Sequence, residues 1–210
     1  MREDSRPVGL VLAAGGGRRL GGRPKALLEL GGRTLVEHAV TTLSTAGCDP
    51  VRVVIGAEAE RVRARLDAST PVPCEIVVNP EWERGMGSSL RAGLTPPPAA
   101  DAVLVTLVDQ PGIGAVAAAR VIATARNLPG GLRTALVTAG HAGRRGHPVL
   151  LGAAHLPGVI ASARGDRGAR AYLAEHADRV VTVECSDVAD PADIDTPEDL
   201  RRVLGGEHDG

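Results

Sequence analysis

The sequence predicts an α/β fold, a doubly wound and mostly parallel sheet flanked by helices. Apolar runs of strand length alternate with stretches of helical periodicity along most of the chain. The first run, Val8 to Ala13, is apolar throughout, as expected of a strand buried on both faces. It breaks directly into a loop dense in glycine and cation, Ala14 to Lys25, at a strand's carboxyl end, where open parallel sheets hold their ligands.

The elements follow in order. Thr34-Leu-Val-Glu37 reads as a capping box, and Leu35, Val36, Ala39, Val40 and Leu43 continue at helical spacing until Gly47. Val51 to Ile55 is a second strand. Glu58 to Leu66 is a charged helix with Ala59, Val62 and Leu66 inward. Glu75 to Val78 is a third strand ending at Asn79-Pro80, and Ser88 to Gly93 a short helix. Pro96 to Pro98 form a stiff exposed connector. Ala102 to Val108 is the strongest strand and stops at Asp109-Gln-Pro111. Ile113 to Arg126 is a helix with Ile113, Val116, Ala117 and Val121 inward, and Thr134 to Thr138 a further strand. Ala139 to Gly168 is rich in Gly, Arg and His, with apolar pieces only at Pro148 to Leu151 and Val159-Ile160. Ala169 to His176 is helical, Arg179 to Glu184 a late strand, and Thr196-Pro-Glu-Asp199 opens a last helix that Gly205-Gly206 ends. No internal repeat stands out.

Composition narrows the function. The 210 residues suffice for a real core, and 43% of them are hydrophobic. A net charge of −1 supplies no field for nucleic acid or an anionic membrane surface. One Trp and one Tyr give no stacking platform for single strands. Three cysteines, odd in number and far apart, form neither a disulfide framework nor a zinc site, which fits a reducing cytoplasm. Met1 to Pro7 is charged and unlike a secretory signal, and no apolar stretch has spanning length.

The first loop has the chemistry of an anion cradle. Gly15, Gly16, Gly17, Gly21 and Gly22 leave amides uncovered, and Arg18, Arg19, Arg23 and Lys25 surround them. Walker A requires Gly-x-x-x-x-Gly-Lys-Ser/Thr, but Pro24 precedes Lys25 and Ala26 follows it. The dinucleotide fingerprint fails at Leu20, where its third glycine belongs, and at Ile55-Gly56, where no acid ends the second strand. Asp109, ending a buried strand, is either a ligand for Mg²⁺ on a triphosphate or a cap for the next helix. Glu198 and Asp199 suit a helix N-terminus, whereas Asp193 and Asp195 are not needed there and are candidate second metal ligands. In Asn79 to Gly93, the Gly85-Met-Gly-Ser-Ser89 run is either a base, ribose or phosphate loop or an ordinary Gly/Ser turn; Trp82 within it is core or lid. Arg144-Arg-Gly-His-Pro148 and Gly165-Asp-Arg-Gly-Ala-Arg170 are glycine-rich and basic, suited to a second phosphorylated substrate. His147 is either a donor to an acceptor or structural.

Leu12-Ala-Ala-Gly15, Arg19-Leu-Gly21 and Pro24-Lys25 resemble the first motif of the molybdenum-cofactor nucleotidyltransferases, Leu-Ala-Ala-Gly-x-Ser-x-Arg-Met-Gly-x-Pro-Lys. Gly17 stands where that motif has Ser, and one extra residue separates Gly21 from Pro24. The other motifs follow in family order from Val8 to Leu204: Asp109-x-Pro111, the Gly-Met-x-x-Ser loop, the Gly-His-Pro-Val and Gly-Asp-x-Gly-Ala-Arg segments, and the late Asp. The resemblance implies a single nucleotidyltransferase domain over 1–210, with a nucleotide-binding half at 8–130 and an acceptor-binding half at 131–204.

It further implies transfer of CMP from CTP to molybdopterin with release of pyrophosphate, supported by Mg²⁺ or Mn²⁺. Lys25, Arg19 and Asp109 would be the catalytic residues. Leu12, Ala13, Ala14, Gly15, Gly16, Lys25, Asn79, Gly87, Ser88 and Ser89 would hold the nucleotide, and Gln110, Gly146, His147, Asp166 and Arg170 the acceptor. Asp109 and Asp195, or Asp193, would hold the metal. Within the family Ala14 goes with CTP and a glycine there with GTP. A different nucleotide or phosphorylated acceptor, a cofactor chaperone that hands its cargo to a molybdoenzyme, and an NAD(P)H-dependent dye reductase are the alternatives.

Overall fold

The structure is a computed structural model, and it describes residues 5–69 and 72–205. Among the described residues nine strands and seven α-helices run in the order β1 Val8–Leu12, β2 Glu29–Leu30, β3 Arg33–Thr34, α1 Leu35–Thr45, β4 Val51–Ile55, α2 Ala59–Ser69, β5 Cys74–Val78, α3 Met86–Leu94, β6 Ala102–Leu107, α4 Ala115–Asn127, β7 Leu136–His141, β8 Arg144–Gly152, α5 Leu156–Ser162, α6 Arg170–Glu175, β9 Val180–Glu184 and α7 Pro197–Gly205. Seven of the strands form one sheet in the order β5-β4-β1-β6-β8-β7-β9, and β2 and β3 pair as a small separate hairpin. Only β8 runs antiparallel to its neighbours.

Strand alternation divides the core in two. Val11 of β1 faces a cluster with Val36 and Val40 of α1, Val62 of α2 and Val121 of α4. Leu10 and Leu12 face the other side, with Leu90 and Leu94 of α3, Val159 of α5 and Leu173 of α6. Each face of β1 is therefore covered, which is why its sequence is apolar at every position. The capping box at the start of α1 is formed: Glu37 accepts from the Thr34 amide and hydroxyl, both at 2.6 Å. Burial works against its charge, but these bonds and Arg65 outweigh it and hold its carboxyl below the usual range.

Two expectations need correction. Ala139 to Gly168 holds a nine-residue strand, β8, inside the sheet between β6 and β7. Its Pro148 lies where the β7–β8 register shifts between Thr138 and Ala139, an irregularity that spares the ladder a missing donor. Val116 faces solvent at 61% exposure rather than the core. Gly114 is extended and caps the helix, so α4 begins at Ala115 and buries Ala117, Ala118, Val121, Ile122 and Ala125, leaving Val116 off that stripe. Glu29 to Thr34, for which the sequence predicts no strand, is a hairpin. The expected helix stop at Gly206 and the segment Met1–Asp4 lie outside the described residues, as does His208. Among the described residues no helix is long and apolar enough to cross a membrane.

Parallel strands bring their carboxyl ends to one edge, so the loops after β1, β4, β5, β6 and β7 gather there. Because β8 runs the other way, its amino end, Arg144 to His147, arrives at the same edge.

Candidate active site

The loop after β1 closes on itself. Gly17 has φ +57°, and its carbonyl accepts from the Leu20 amide at 2.8 Å and the Gly22 amide at 3.1 Å. A Cβ on Gly17 would stand 1.9 Å from the Arg23 carbonyl oxygen, so glycine is required where the family motif carries Ser. Leu20 and Ala26 are buried on either side of Lys25 and pin its backbone to the core. The Arg23 carbonyl occupies the space that a side chain at position 17 would need.

Lys25 Nζ donates to Asp109 Oδ2 at 2.6 Å and to Asp195 Oδ1 at 2.5 Å. Burial by itself disfavours the Lys25 charge, but the two carboxylates outweigh it and raise its pKa above 10.5. Arg19 reaches Asp195 from outside at 3.7 Å, largely exposed. The orientation of Asp195 is held by the cap of α7. Its amide and the Thr196 amide and hydroxyl all donate to Asp199, at 3.2, 2.9 and 2.8 Å.

Beside this cluster lies a cavity of about 360 Å³, walled by Leu12, Ala14, Gly15, Gly16 and Arg18 of the first loop, by Leu107 to Asp109, and by Trp82, Met86, Ser89 and Asp166. Trp82 is a wall of it. The indole passes so close to Gly16 that a Cβ there would meet Cη2 at 2.9 Å, and a Cβ on Gly56 would meet the Trp82 Cβ at 2.6 Å. A second cavity of about 270 Å³ adjoins through Met86. It is lined by Arg145, Gly146, His147, Arg167 and Arg170 over a floor that includes Val149 and Leu173. Burial first, then the Arg170 and His141 charges, push His147 down to about 4, so it is neutral at pH 7.

The expected residues separate on this geometry. Lys25, Asp109 and Asp195 come together. Leu12, Ala14, Gly15, Gly16 and Ser89 line the first cavity, while Ala13 is buried beneath it. Asn79 and Ser88 are buried and occupied with each other: Asn79 Nδ2 donates to Ser88 Oγ at 2.9 Å and Ser89 Oγ at 3.0 Å, and Ser88 Oγ bonds the Glu81 and Gly85 carbonyls. They shape the loop rather than line the cavity. Gly87 faces the Arg164 backbone, away from it. Gly146, His147 and Arg170 line the second cavity, but Asp166 lines the first. Gln110 lines neither; its Nε2 donates to Asp193 Oδ1 at 2.8 Å and to the Pro191 carbonyl at 3.2 Å. Asp193 titrates above its usual value, through partial desolvation first and then the Asp109 and Asp195 charges. Arg18, Met86, Arg145 and Arg167 were absent from the expected set, although each sits inside a motif already singled out.

The donor set fits a hard divalent cation. Asp109 and Asp195 converge on one point, the Lys25 ammonium, which stands where a cation would be held. Mg²⁺ takes one or two carboxylates and completes its shell with phosphate oxygens and water. Among the described residues no third His, Cys, Asp or Glu joins them, so an all-protein cage is excluded there.

The family model for a MobA-like NTP transferase domain matches residues 9–180. The chain is 41% identical over 200 residues to the nicotine blue oxidoreductase of Paenarthrobacter nicotinovorans, with 94% of this chain and 96% of that one covered. It is similar, at 30% identity and a TM-score of 0.76 over 96% of both chains, to the solved homologue of Mycobacterium tuberculosis Rv0371c from Mycobacterium sp. strain JC1. Rv0371c of Mycobacterium tuberculosis H37Rv, solved in complex with manganese, is 27% identical with a TM-score of 0.71, over 96% of this chain and 99% of that one. With a doubly wound sheet, a glycine-rich loop over its first strand and this family match, the chain belongs to the MobA-like NTP transferase domain family of nucleotidyltransferases.

Proposed function

We propose that the chain transfers CMP from CTP to a molybdopterin-like phosphorylated acceptor in the cytoplasm and releases pyrophosphate. The observation that carries this is the convergence of Lys25, Asp109 and Asp195 beside the cavity of the first loop, with a second, arginine-lined cavity adjoining. In this reading 8–130 is the nucleotide half, with most of the first cavity's walls, and 131–204 the acceptor half, with all of the second cavity's lining but Met86.

An acceptor phosphate oxygen attacks the α-phosphorus; the new P–O bond forms as the bond to the β-phosphate oxygen breaks, and pyrophosphate leaves with the electron pair. Asp109 and Asp195 would hold Mg²⁺, which would supply positive charge against the phosphates and the departing pyrophosphate. Lys25 exchanges its carboxylates for phosphate oxygens, and Arg18 and Arg19 add positive charge at the loop. The open amides of Gly15 and Gly16 face the triphosphate. Arg145, Arg167 and Arg170 hold the acceptor's anionic group, and neutral His147 is available as a hydrogen-bonding partner. The chemistry is positioning and charge neutralisation, with no covalent step on the protein. Ala14 favours CTP. Transfer of the product to an apo-molybdoenzyme would follow release.

A second reading is favoured by the name of the relative at 41% identity, nicotine blue oxidoreductase: a redox step on a dye, with NAD(P)H as the reductant this reading would need. No acidic residue ends β4 to take a ribose, which weighs against it. Melting-temperature shifts with Mg²⁺ and each of CTP, GTP, ATP and UTP, alongside NADH, separate the two. A shift with CTP, followed by pyrophosphate release on adding molybdopterin, is expected. A shift with NADH and none with any triphosphate would sink the nucleotidyl-transfer reading.

A further inference from the structure

The segment from Cys185 to Asp195 carries Asp195 over the carboxyl edge of the sheet, and it is tied down at two places. At its start Arg120 of α4 forks onto Asp187 at 2.6 and 2.8 Å and also bonds the Glu184 carbonyl at 2.8 Å. At its end it runs against the loop that carries Asp109. The Asp190 amide donates to the Gly112 carbonyl at 3.1 Å and the Ile194 amide to the Asp109 carbonyl at 2.9 Å. Gly112 permits this contact, since a Cβ there would meet the Asp190 carbonyl oxygen at 2.5 Å. Ile194 is fully buried and anchors the crossing. Between the two backbone bonds stands Gln110, whose Nε2 grips the Pro191 carbonyl and the Asp193 carboxylate.

We propose that Gln110 is a positioning residue, fastening the Asp193 segment to the Asp109 loop and so setting the separation of Asp109 and Asp195. Asp193 is its acceptor, not a ligand of the cation. This rests on the reading of Asp109 and Asp195 as the pair that holds a divalent cation with the triphosphate. The backbone bonds fix where Ile194 sits and the α7 cap holds Asp195 from its far side, which leaves the turn from Pro191 to Asp193 to be held by Gln110. Gln110 holds that turn through a charge-assisted bond, the stronger kind. With the clip gone, Asp195 would keep the α7 cap behind it and the Lys25 and Arg19 contacts in front, but the turn that leads into it would no longer be fastened to the Asp109 loop.

The test uses the full chain and two independent readouts. Hydrogen exchange follows the Asp190 and Ile194 amides, and electron spin resonance of free Mn²⁺ follows binding in the presence of CTP. In Gln110→Met the two amides should exchange about tenfold faster and Mn²⁺ should bind about tenfold more weakly, as expected for loss of a hydrogen bond to a charged group. Asp193→Ala should do the same, and Gln110→Met with Asp193→Ala should be no worse than either alone. Asp193→Asn keeps an acceptor oxygen for Gln110 but not its charge, and should bring both readouts to a level between Asp193→Ala and the parent. An Asp193→Asn variant with parent-like exchange at the two amides but Mn²⁺ binding as weak as in Asp193→Ala would make the carboxylate itself the ligand and overturn the proposal. A Gln110→Met variant that binds Mn²⁺ as the parent does would overturn it alone. A parent chain that binds no Mn²⁺ with CTP would overturn the nucleotide reading and this inference with it.

Discussion

Lys25 Nζ lies 2.5 Å from Asp195 Oδ1, a partner 170 positions along the chain. The contact joins the loop that opens the sheet to the segment that closes it, and Asp109 at 2.6 Å completes the triad. Three charged side chains from three separate loops are drawn to one point because all three loops leave the same edge of the sheet.

Removing the ammonium tests what it does. Lys25→Met should lower pyrophosphate release roughly 10²–10³-fold, the usual scale for loss of one preorganised charge donor in a transfer site. Its melting temperature should fall only slightly, since Leu20 and Ala26 still anchor the loop. Steady-state release of pyrophosphate and a thermal melt together check this, and a parent-like rate would remove Lys25 from the mechanism.

Gly17 tests the meaning of the family departure. Gly17→Ser restores the motif residue but puts a side chain at φ +57°, against the Arg23 carbonyl. The left-handed conformation alone costs about 1–2 kcal/mol, and the clash forces the loop to shift. Turnover should drop about 10²-fold from the misplaced loop. Deleting Gly22 in the same variant restores the family spacing and should recover most of the rate. If the double change is as impaired as Gly17→Ser, the extra residue and the glycine are unrelated.

How much of this was legible in the chain depends on whether a residue's neighbours are local. β1, β4 and β6 could be read because burial on both faces writes an unbroken apolar run. β8 could not, because Arg144, Arg145 and Gly146 open it and Pro148 interrupts it, so neither period nor propensity marks a strand. Its place in the sheet is set by Val149 to Leu151 pairing with β6 and β7, which is tertiary information. The same limit applies to the site. Lys25 and Asp109 are recognisable from loop chemistry at strand ends. The choice between Asp193 and Asp195 was not, because it depends on which of them faces Lys25 and which faces Gln110. Asn79 and Ser88 looked like ligand groups, yet a buried amide and hydroxyl bonding each other carry the same residues in the same order.

Acid stability should depend on Glu184. Ser186, through its hydroxyl at 2.5 Å and its amide at 2.9 Å, holds the Glu184 carboxyl down to about 2, against an ordinary 4.5. A depressed carboxyl contributes stability that is present above its unfolded value and is lost as pH falls through its folded one. The melting temperature should therefore decline between about pH 4.5 and pH 2, and Glu184→Gln should flatten that part of the profile. The check is a series of melts of the two chains across that range. An unchanged slope in Glu184→Gln would assign the acid limb to other carboxylates.

Under the proposed reading Ala14 sets the choice of base, and Trp82 should report binding. Ala14 is 5% exposed, lines the first cavity and is followed by Gly15 and Gly16, with the chain's one Trp packed across Gly16. A ligand that enters this cavity meets the indole wall, so CTP binding should change Trp82 fluorescence and give a saturable titration. Ala14→Gly removes a methyl from the wall and frees the backbone, which makes room for a larger base. The preference for CTP over GTP should shift toward GTP by about tenfold, the scale of one methylene in a pocket. The backbone amides of Gly15 and Gly16 are untouched by the change, so triphosphate binding as such should persist. Fluorescence titrations of the parent and of Ala14→Gly with both nucleotides measure this directly. Equal preferences in the two chains would place base selection elsewhere in the cavity, with Trp82 and Met86 the next walls to alter.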